Sequence, residues 1–351
     1  MAAAPVLSAV RRRWPSTAVV RILTAEPIAW GVKRGIAVMR VFVAGGSGQV
    51  GSRLVPALLK NGDQVVVLTR NMTKAREKLG PGPEIVEGDP LTPGSWMNWV
   101  NGCDAVVNLV GEGVFNRRWR DSFKALIRDS RVKSTTNIVE AIRRATDRPS
   151  VLVNGSAIGY YGFHGDELLT EDSPPGDDFL AKVCVEWEQA ARPVEALRCR
   201  LVLLRTGVVL DKAGGALRKM ILPFKLFVGG KIGSGKQWVS WIHHDDEVGL
   251  IQFALETDEV RGPLNATAPV PVTNKQFAKA LGKALWRPSW FPTPRWLLRL
   301  VLGEVADLVT KGQRVLPKRA QELGYAFKFP DIHSALRDIF AKPPPLAAPA
   351  R

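Results

Sequence analysis

Seven consecutive residues, Gly45-Gly46-Ser47-Gly48-Gln49-Val50-Gly51, have the types and spacing to hold a phosphate. Glycines at 45, 48 and 51 leave no Cβ atoms between the backbone and whatever sits on the turn. A helix starting just after them would point free N–H groups and a positive dipole end at the same spot. The flanks supply that context: an apolar run, Val41 to Ala44, precedes the turn, and an amphipathic run, Ser52 to Leu59, follows it and stops at Asn61-Gly62. An ordinary strand-to-helix turn also uses glycine, but strand, turn and helix in this order predict a dinucleotide site. The next apolar run, Gln64 to Leu68, ends in Thr69 and Arg70, where an NAD-specific site would offer an acid to the ribose 2′-hydroxyl. A hydroxyl beside a guanidinium suits a 2′-phosphate, so the expected cofactor is NADP rather than NAD. Asp89, after a third short strand, places a carboxylate within reach of the adenine.

Other reactive side chains are sparser. His243 precedes Asp245 and Asp246, a grouping that could move a proton. A structural histidine at a helix start, with one of the aspartates as cap, is the commoner arrangement. Arg118 and Arg131 could bind an acidic substrate or form ion pairs. Cys103, Cys184 and Cys199 lie far apart with no CxxC spacing, so no metal site is indicated and a reducing compartment is expected. The net charge of +16 needs locating before it can suggest a partner. Residues 1–38 hold six basic residues against Glu26 alone and so carry five of those charges; the rest are scattered, without basic runs or interleaved aromatics. That pattern argues for a generally basic surface and against nucleic-acid binding. An Arg-rich, acid-poor segment ahead of a clean strand start reads as a removable organelle transit peptide over 1–38. Arg21, Glu26 and Lys33 interrupt its apolar stretches, so no transmembrane span is expected.

The elements that must position these groups follow by alternation. Strands are expected at 41–44, 64–68, 84–87, 104–109, 151–153 and 200–204, with long helices at about 118–145 and 177–192. Strands alternating with helices predict an α/β fold: a doubly wound Rossmann parallel sheet, with a smaller C-terminal substrate-side lobe. The Rossmann domain is expected over 39–285, including a helix from 247 to 255, a possible strand at 262–266 and a helix to 285 capped by Thr273 or Asn274. Residues 286–340, opened by a Pro/Trp-rich turn, would form the small lobe. The Pro/Ala-rich tail 341–351 is expected to be disordered.

At this point several strings resemble a family. The glycine pattern, Asn108 at a strand end and Ser156 after the fifth strand are similar to an extended short-chain dehydrogenase/reductase. Gly111-Glu112, Ser130-Arg131, Ala157 to Gly162, Glu186-Trp187-Glu188, Arg205 to Leu210, Gly233 to Trp238, Trp241-Ile242-His243, Gly312 to Pro317 and Leu323-Gly324-Tyr325 resemble its atypical epimerase-family branch over about 39–340. Within that branch the plastid giant-chloroplast group, also called cell-division-inhibitor homologues, is most similar. The resemblance implies a plastid transit peptide, with mitochondrion as the alternative address. It also implies a stromal protein, peripheral to the inner envelope, that regulates plastid division through partners there. A homodimer through the two long helices is expected by analogy.

The resemblance also assigns site residues. Ser156 falls where the family binds a substrate carbonyl, and Asn108 and Gly111 would line the path to the nicotinamide ribose. The family's Tyr and the Lys four residues later are missing: the segment that should hold them reads Phe179-Leu180-Ala181-Lys182-Val183-Cys184. Tyr160 or Tyr161 could replace the absent acid, although packing of a glycine-flanked loop is the plainer role for both. Two readings follow: a nucleotide-binding regulator with little dehydrogenase chemistry, or an NADP-dependent oxidoreductase or epimerase acting on a small polar metabolite.

Overall fold

The computed structural model describes residues 38–341, so all but the last residue of the expected transit segment and all but the first of the expected tail lie outside the described residues. Seven parallel strands form the central sheet: β1 (Arg40–Ala44), β2 (Gln64–Thr69), β3 (Glu84–Glu87), β4 (Ala105–Asn108), β5 (Val151–Ala157), β6 (Arg200–Thr206) and β7 (Gly262–Ala266). Their spatial order is β7-β6-β5-β4-β1-β2-β3. Register pairs Val41 with Val65 on one side and with Ala105 on the other. The chain therefore leaves β1 in one direction and returns past it in the other. The gap where strand order reverses, between β1 and β4, is where open α/β sheets take ligands.

Period-2 alternation gives each face its own core. Val41 and Val43 pack with Leu54, Val55 and Leu58 of α1 (Gly51–Lys60) and with Leu250 and Ile251 of α6 (His244–Glu256). Phe42 and Ala44 pack with Trp96 and with Ile138 and Ile142 of α3 (Asp121–Arg144). The other main helices are α2 (Met72–Leu79), α4 (Phe179–Ala191), α5 (Gly215–Lys225), α7 (Asn274–Leu285) and α8 (Arg295–Leu302). Helix starts follow the capping residues: Asn71 accepts from Lys74 N at 2.9 Å, Asp178 from Ala181 N at 3.0 Å, and Thr273 with Gln276 makes a capping box.

The lobe over the carboxyl edge of the sheet is drawn from several segments. Short ribbons pair 208–210 with 241–243, 238–239 with 272–273, and 168–169 with 314–315. A third core joins Leu217, Ile221 and Phe224 of α5, Phe277 and Leu281 of α7, and Leu336 and Ile339 of the C-terminal helix Ile332–Phe340. Residues after 286 thus share their core with elements before it. No residue of α8 is buried, and Trp296, Leu300 and Val301 face outward. Among the described residues no helix is long and apolar enough to cross a membrane.

Candidate functional site

Two adjoining hollows open at the carboxyl ends of the strands. The first is a cleft of about 430 Å³ over the glycine turn, lined by Gly45, Ser47, Gly48, Thr69, Arg70, Asp89 and Gly111 among others. Gly45 has φ of 81°, and a Cβ there would sit 2.9 Å from the carbonyl of Leu109. Gly48 opens onto the cleft, while Gly51 is buried where α1 meets the turn. Two of the three spaced glycines thus serve the cleft, and the third serves close helix packing.

Helix α1 begins without a side-chain cap and without an acid in its first turn, so the positive end of its dipole has no counter-charge there, although Ser52, Arg53 and Leu54 N already donate to Gly48 O and Val50 O. Gln49 and Val50 lead into it from the turn. Gln49 lies against Gly214 and Gly215, and its Nε2 is buried without a hydrogen-bond partner. An ion pair from Arg53 to Asp211 at 3.1 Å ties that loop to α1. Gly46 is buried, with a hypothetical Cβ only 2.8 Å from Val67 Cγ1. Bare backbone beneath the cleft and an unmatched helix dipole beside it suit a dinucleotide. At the opposite end, Lys74 joins Arg70 in the wall, and Lys78 Nζ donates to Ser47 O at 2.7 Å. Sequence reasoning missed both lysines, although their spacing from the Asn71 cap puts them on the first two turns of α2. Asp89 lines the cleft, and its Oδ1 accepts from Leu91 N at 3.0 Å.

The second hollow is an apolar cavity of about 240 Å³ beyond the ends of β5 and β6, walled by Ile158, Phe163, Leu180, Val183, Met220 and Val239 among others. Leu180 and Cys184, one helical turn apart, line this cavity, on the segment where the expected tyrosine and lysine are missing. Burial pushes the Cys184 thiol up to about 12, so it offers no thiolate. Thr206 also lines the cavity, and its hydroxyl donates to Glu247 Oε1 at 2.8 Å. Glu247 is fully buried and its Oε2 has no partner. Burial pushes this carboxyl up to about 8, which keeps it protonated at neutral pH. To pass a proton inward, the Thr206 hydroxyl must turn to accept from the neutral Glu247 acid while donating into the cavity; nothing in the sequence marked this pair.

Four residues expected at the site face elsewhere. Ser156 is buried and donates to Glu188 Oε1 at 2.7 Å; Glu188 in turn makes a two-pronged ion pair with Arg205 at 2.8 and 2.9 Å. Successive strand residues point to opposite faces, so Ala157 lines the cavity and Ser156 meets α4. The Tyr161 hydroxyl lies between Asn265 Oδ1, 2.7 Å, and Arg205 Nη1, 3.0 Å, and burial pushes it up to about 12. The Tyr160 ring stacks on the Arg205 guanidinium at 3.5 Å. Neither tyrosine lines the cavity; both belong to this buried arginine network. Asn108 is also buried: its Nδ2 donates to Thr135 and Asn154, and its Oδ1 accepts from Val110 N. Rather than touching a ribose, it shapes the loop that brings Gly111 to the cleft.

His243 is structural. Its Nδ1 accepts from Asp245 N as the cap of α6, and burial holds it down to about 4, hence neutral. Asp246 instead accepts from Lys328 N and Phe329 N.

Comparison with known proteins agrees with this geometry. The model of the NAD dependent epimerase/dehydratase family matches residues 41–266, and a domain of unknown function matches 293–339. The chain is 44% identical over 307 residues to the chloroplastic epimerase family protein SDR39U1 homolog of Arabidopsis thaliana, covering 86% of each. It is 36% identical over 311 residues to epimerase family protein YfhF of Bacillus subtilis, covering 86% of this chain and 98% of the relative. The crystal structure of human epimerase family protein SDR39U1 with NADPH superposes with a TM-score of 0.76 at 38% identity, over 86% of this chain and 99% of that one.

Proposed function

The chain belongs to the NAD dependent epimerase/dehydratase family, among epimerase family proteins of the SDR39U1 type, and from that membership we propose that it binds NADP(H) across the strand-order switch, with the nicotinamide end at the apolar cavity. The observation carrying this reading is the cleft itself, with Gly45 and Gly48 bare beneath it, the uncapped start of α1 beside it, and Arg70 with Lys74 at its adenosine end. Gln49 Nε2 finds an acceptor once a pyrophosphate is seated. Arg70 and Lys74 hold the 2′-phosphate, and Asp89 lies on the adenine side. The human relative crystallised with NADPH supports this choice.

The role is regulatory. Leu180 and Cys184 stand where a proton relay is needed, so a bound dinucleotide acts here as a signal rather than as a standard redox partner. The place of action is the plastid, at the stromal side of the inner envelope, and the process is plastid division. The chloroplastic Arabidopsis relative and the basic, acid-poor segment 1–38 support the address. The outward face of α8, with Trp296, Leu300 and Val301 flanked by Arg295 and Arg299, supports a peripheral seat on an anionic membrane. A second reading, a reductase or epimerase, rests on one observation, the protonated Glu247 behind Thr206. When bound, NADPH supplies a hydride; Glu247 and Thr206 would hold the matching proton at the cavity wall.

Titration with NADPH and NADH tests the reading. NADPH should bind with a Kd on the order of micromolar, and NADH more weakly. Replacing Arg70 and Lys74 with Met should remove about 2 kcal/mol from NADPH binding and leave NADH unchanged. Equal affinity for the two nucleotides in the native protein would sink the assignment. NADPH oxidation in a metabolite screen that disappears in Thr206→Val would favour the second reading over the first.

A further inference from the structure

One cation at the seam of the two hollows lacks a counter-charge. Arg131, on α3, donates from Nη1 to Ile127 O at 2.9 Å, and its guanidinium lies 5.1 Å from the Trp187 ring centroid. It lines the apolar cavity. Among the described residues no carboxylate is recorded within ion-pair distance of it. Glu112, the one acid whose field reaches it, is bonded to Asn116 at 2.8 Å. Gly111 lies over the flat face of the guanidinium: a Cβ there would be 3.2 Å from Cζ, 3.3 Å from Nη2 and 3.5 Å from Nε. Among the described residues Nε and Nη2 make no hydrogen bond, so that edge of the fork is left to grip a planar anion two-handed.

The same cavity holds an orphaned acceptor. Gln237 Nε2 donates to Ile232 O at 3.1 Å and to Val309 O at 3.0 Å, which fixes the orientation of the amide. Its Oε1 is buried without a partner. A half-buried cation and a buried acceptor, both unmatched, in a mainly apolar cavity whose other charged wall residues, Asp178 and Lys311, already have partners, describe a missing ligand.

We propose that the cavity receives a small organic acid: its carboxylate on the Nε–Nη2 edge of Arg131, an apolar branched or single-ring body against Ile158, Phe163 and Leu180, and a hydroxyl to satisfy Gln237. At about 240 Å³ the space falls just below the usual range for ligand pockets, which favours one ring and argues against a nucleotide sugar. The anion is assigned to this ligand rather than to the cofactor because the glycine turn already supplies a phosphate seat and Arg131 lines the other hollow. This inference rests on the proposed placement of the dinucleotide.

Calorimetric titration of the full chain, saturated with NADP⁺, with 3-(4-hydroxyphenyl)propanoate and with the matching amide tests it. The acid should bind about tenfold or more tighter than the amide, a ratio that one charge-assisted pair accounts for. Arg131→Met should erase that ratio while leaving the NADP⁺ affinity within about twofold. If that variant does not fold, Arg131→Lys keeps the charge without the fork and should weaken the acid but not the amide. Equal affinities, no binding of either probe up to about 10 mM, or an Arg131 variant that loses NADP⁺ and keeps the ratio each overturns the inference. Failure of NADP⁺ to bind defeats the cofactor reading alone, because the acid-to-amide ratio is then read on the cofactor-free protein and still decides the part played by Arg131.

Discussion

Replacing Glu247 with glutamine should stabilise the protein at neutral pH, by an amount that grows as pH rises. Glu247 lies wholly inside the fold, hydrogen-bonded only to Thr206, and burial lifts its carboxyl from 4.5 to about 8. Below pH 4.5 the group is protonated both in the fold and in the unfolded chain, and it imposes no penalty. Between 4.5 and 8 the unfolded chain ionises it while the fold keeps its proton. The native state then binds more protons, and stability falls with pH. At about 1.4 kcal/mol per pH unit, the loss reaches roughly 3 kcal/mol at pH 7 and levels off above pH 8. Glutamine keeps an oxygen for the Thr206 hydroxyl and has nothing to ionise. The assay is urea denaturation of native protein and Glu247→Gln at several pH values from 4.5 to 8.5, comparing the difference in unfolding free energy. Taking the difference removes other buried acids, such as Asp246 and Glu171, whose carboxyls burial also raises. A difference that stays flat across this range would mean that Glu247 is not a buried neutral acid. The proton source of the second reading would then be lost.

Two further substitutions separate cofactor contacts from scaffold. Gly45→Ala forces a side chain into a left-handed turn and against the Leu109 carbonyl, so it should cost about 1–3 kcal/mol in stability and weaken NADPH binding, read by thermal unfolding and nucleotide titration. Unchanged values for both would show that the turn is not the phosphate seat. Ser156→Ala removes one donor from Glu188, which keeps its Arg205 partner, so it should cost about 1–2 kcal/mol in stability and leave NADPH affinity within twofold. Loss of nucleotide binding would return Ser156 to the site.

What could be read in the sequence divides along a physical line. Strand positions and the glycine turn were legible because they depend on local pattern: apolar runs of strand length, helix stops and missing Cβ atoms all lie within a few residues of one another. The helix that caps with Thr273 was legible for the same reason. The catalytic candidates were not, because direction decides their role and direction is a tertiary property. Ser156 and Ala157 are neighbours on β5, yet only Ala157 faces the cavity. The Ser156 side chain enters a network with Glu188, Arg205 and Tyr161 whose members are separated by up to 49 residues of chain. The unmatched groups were hidden more deeply. The sequence offered Arg131 with Arg118 as a group for an acidic substrate or for ion pairs, but nothing local decides between the two roles, and nothing local marks Gln237 as unpartnered. Each becomes informative only when its partners are counted, and the partner that is missing cannot be written in the sequence. Arg131 bonds Ile127 O and packs on Trp187, but neither contact answers its charge, so the needs of the fold alone do not account for a guanidinium at this place.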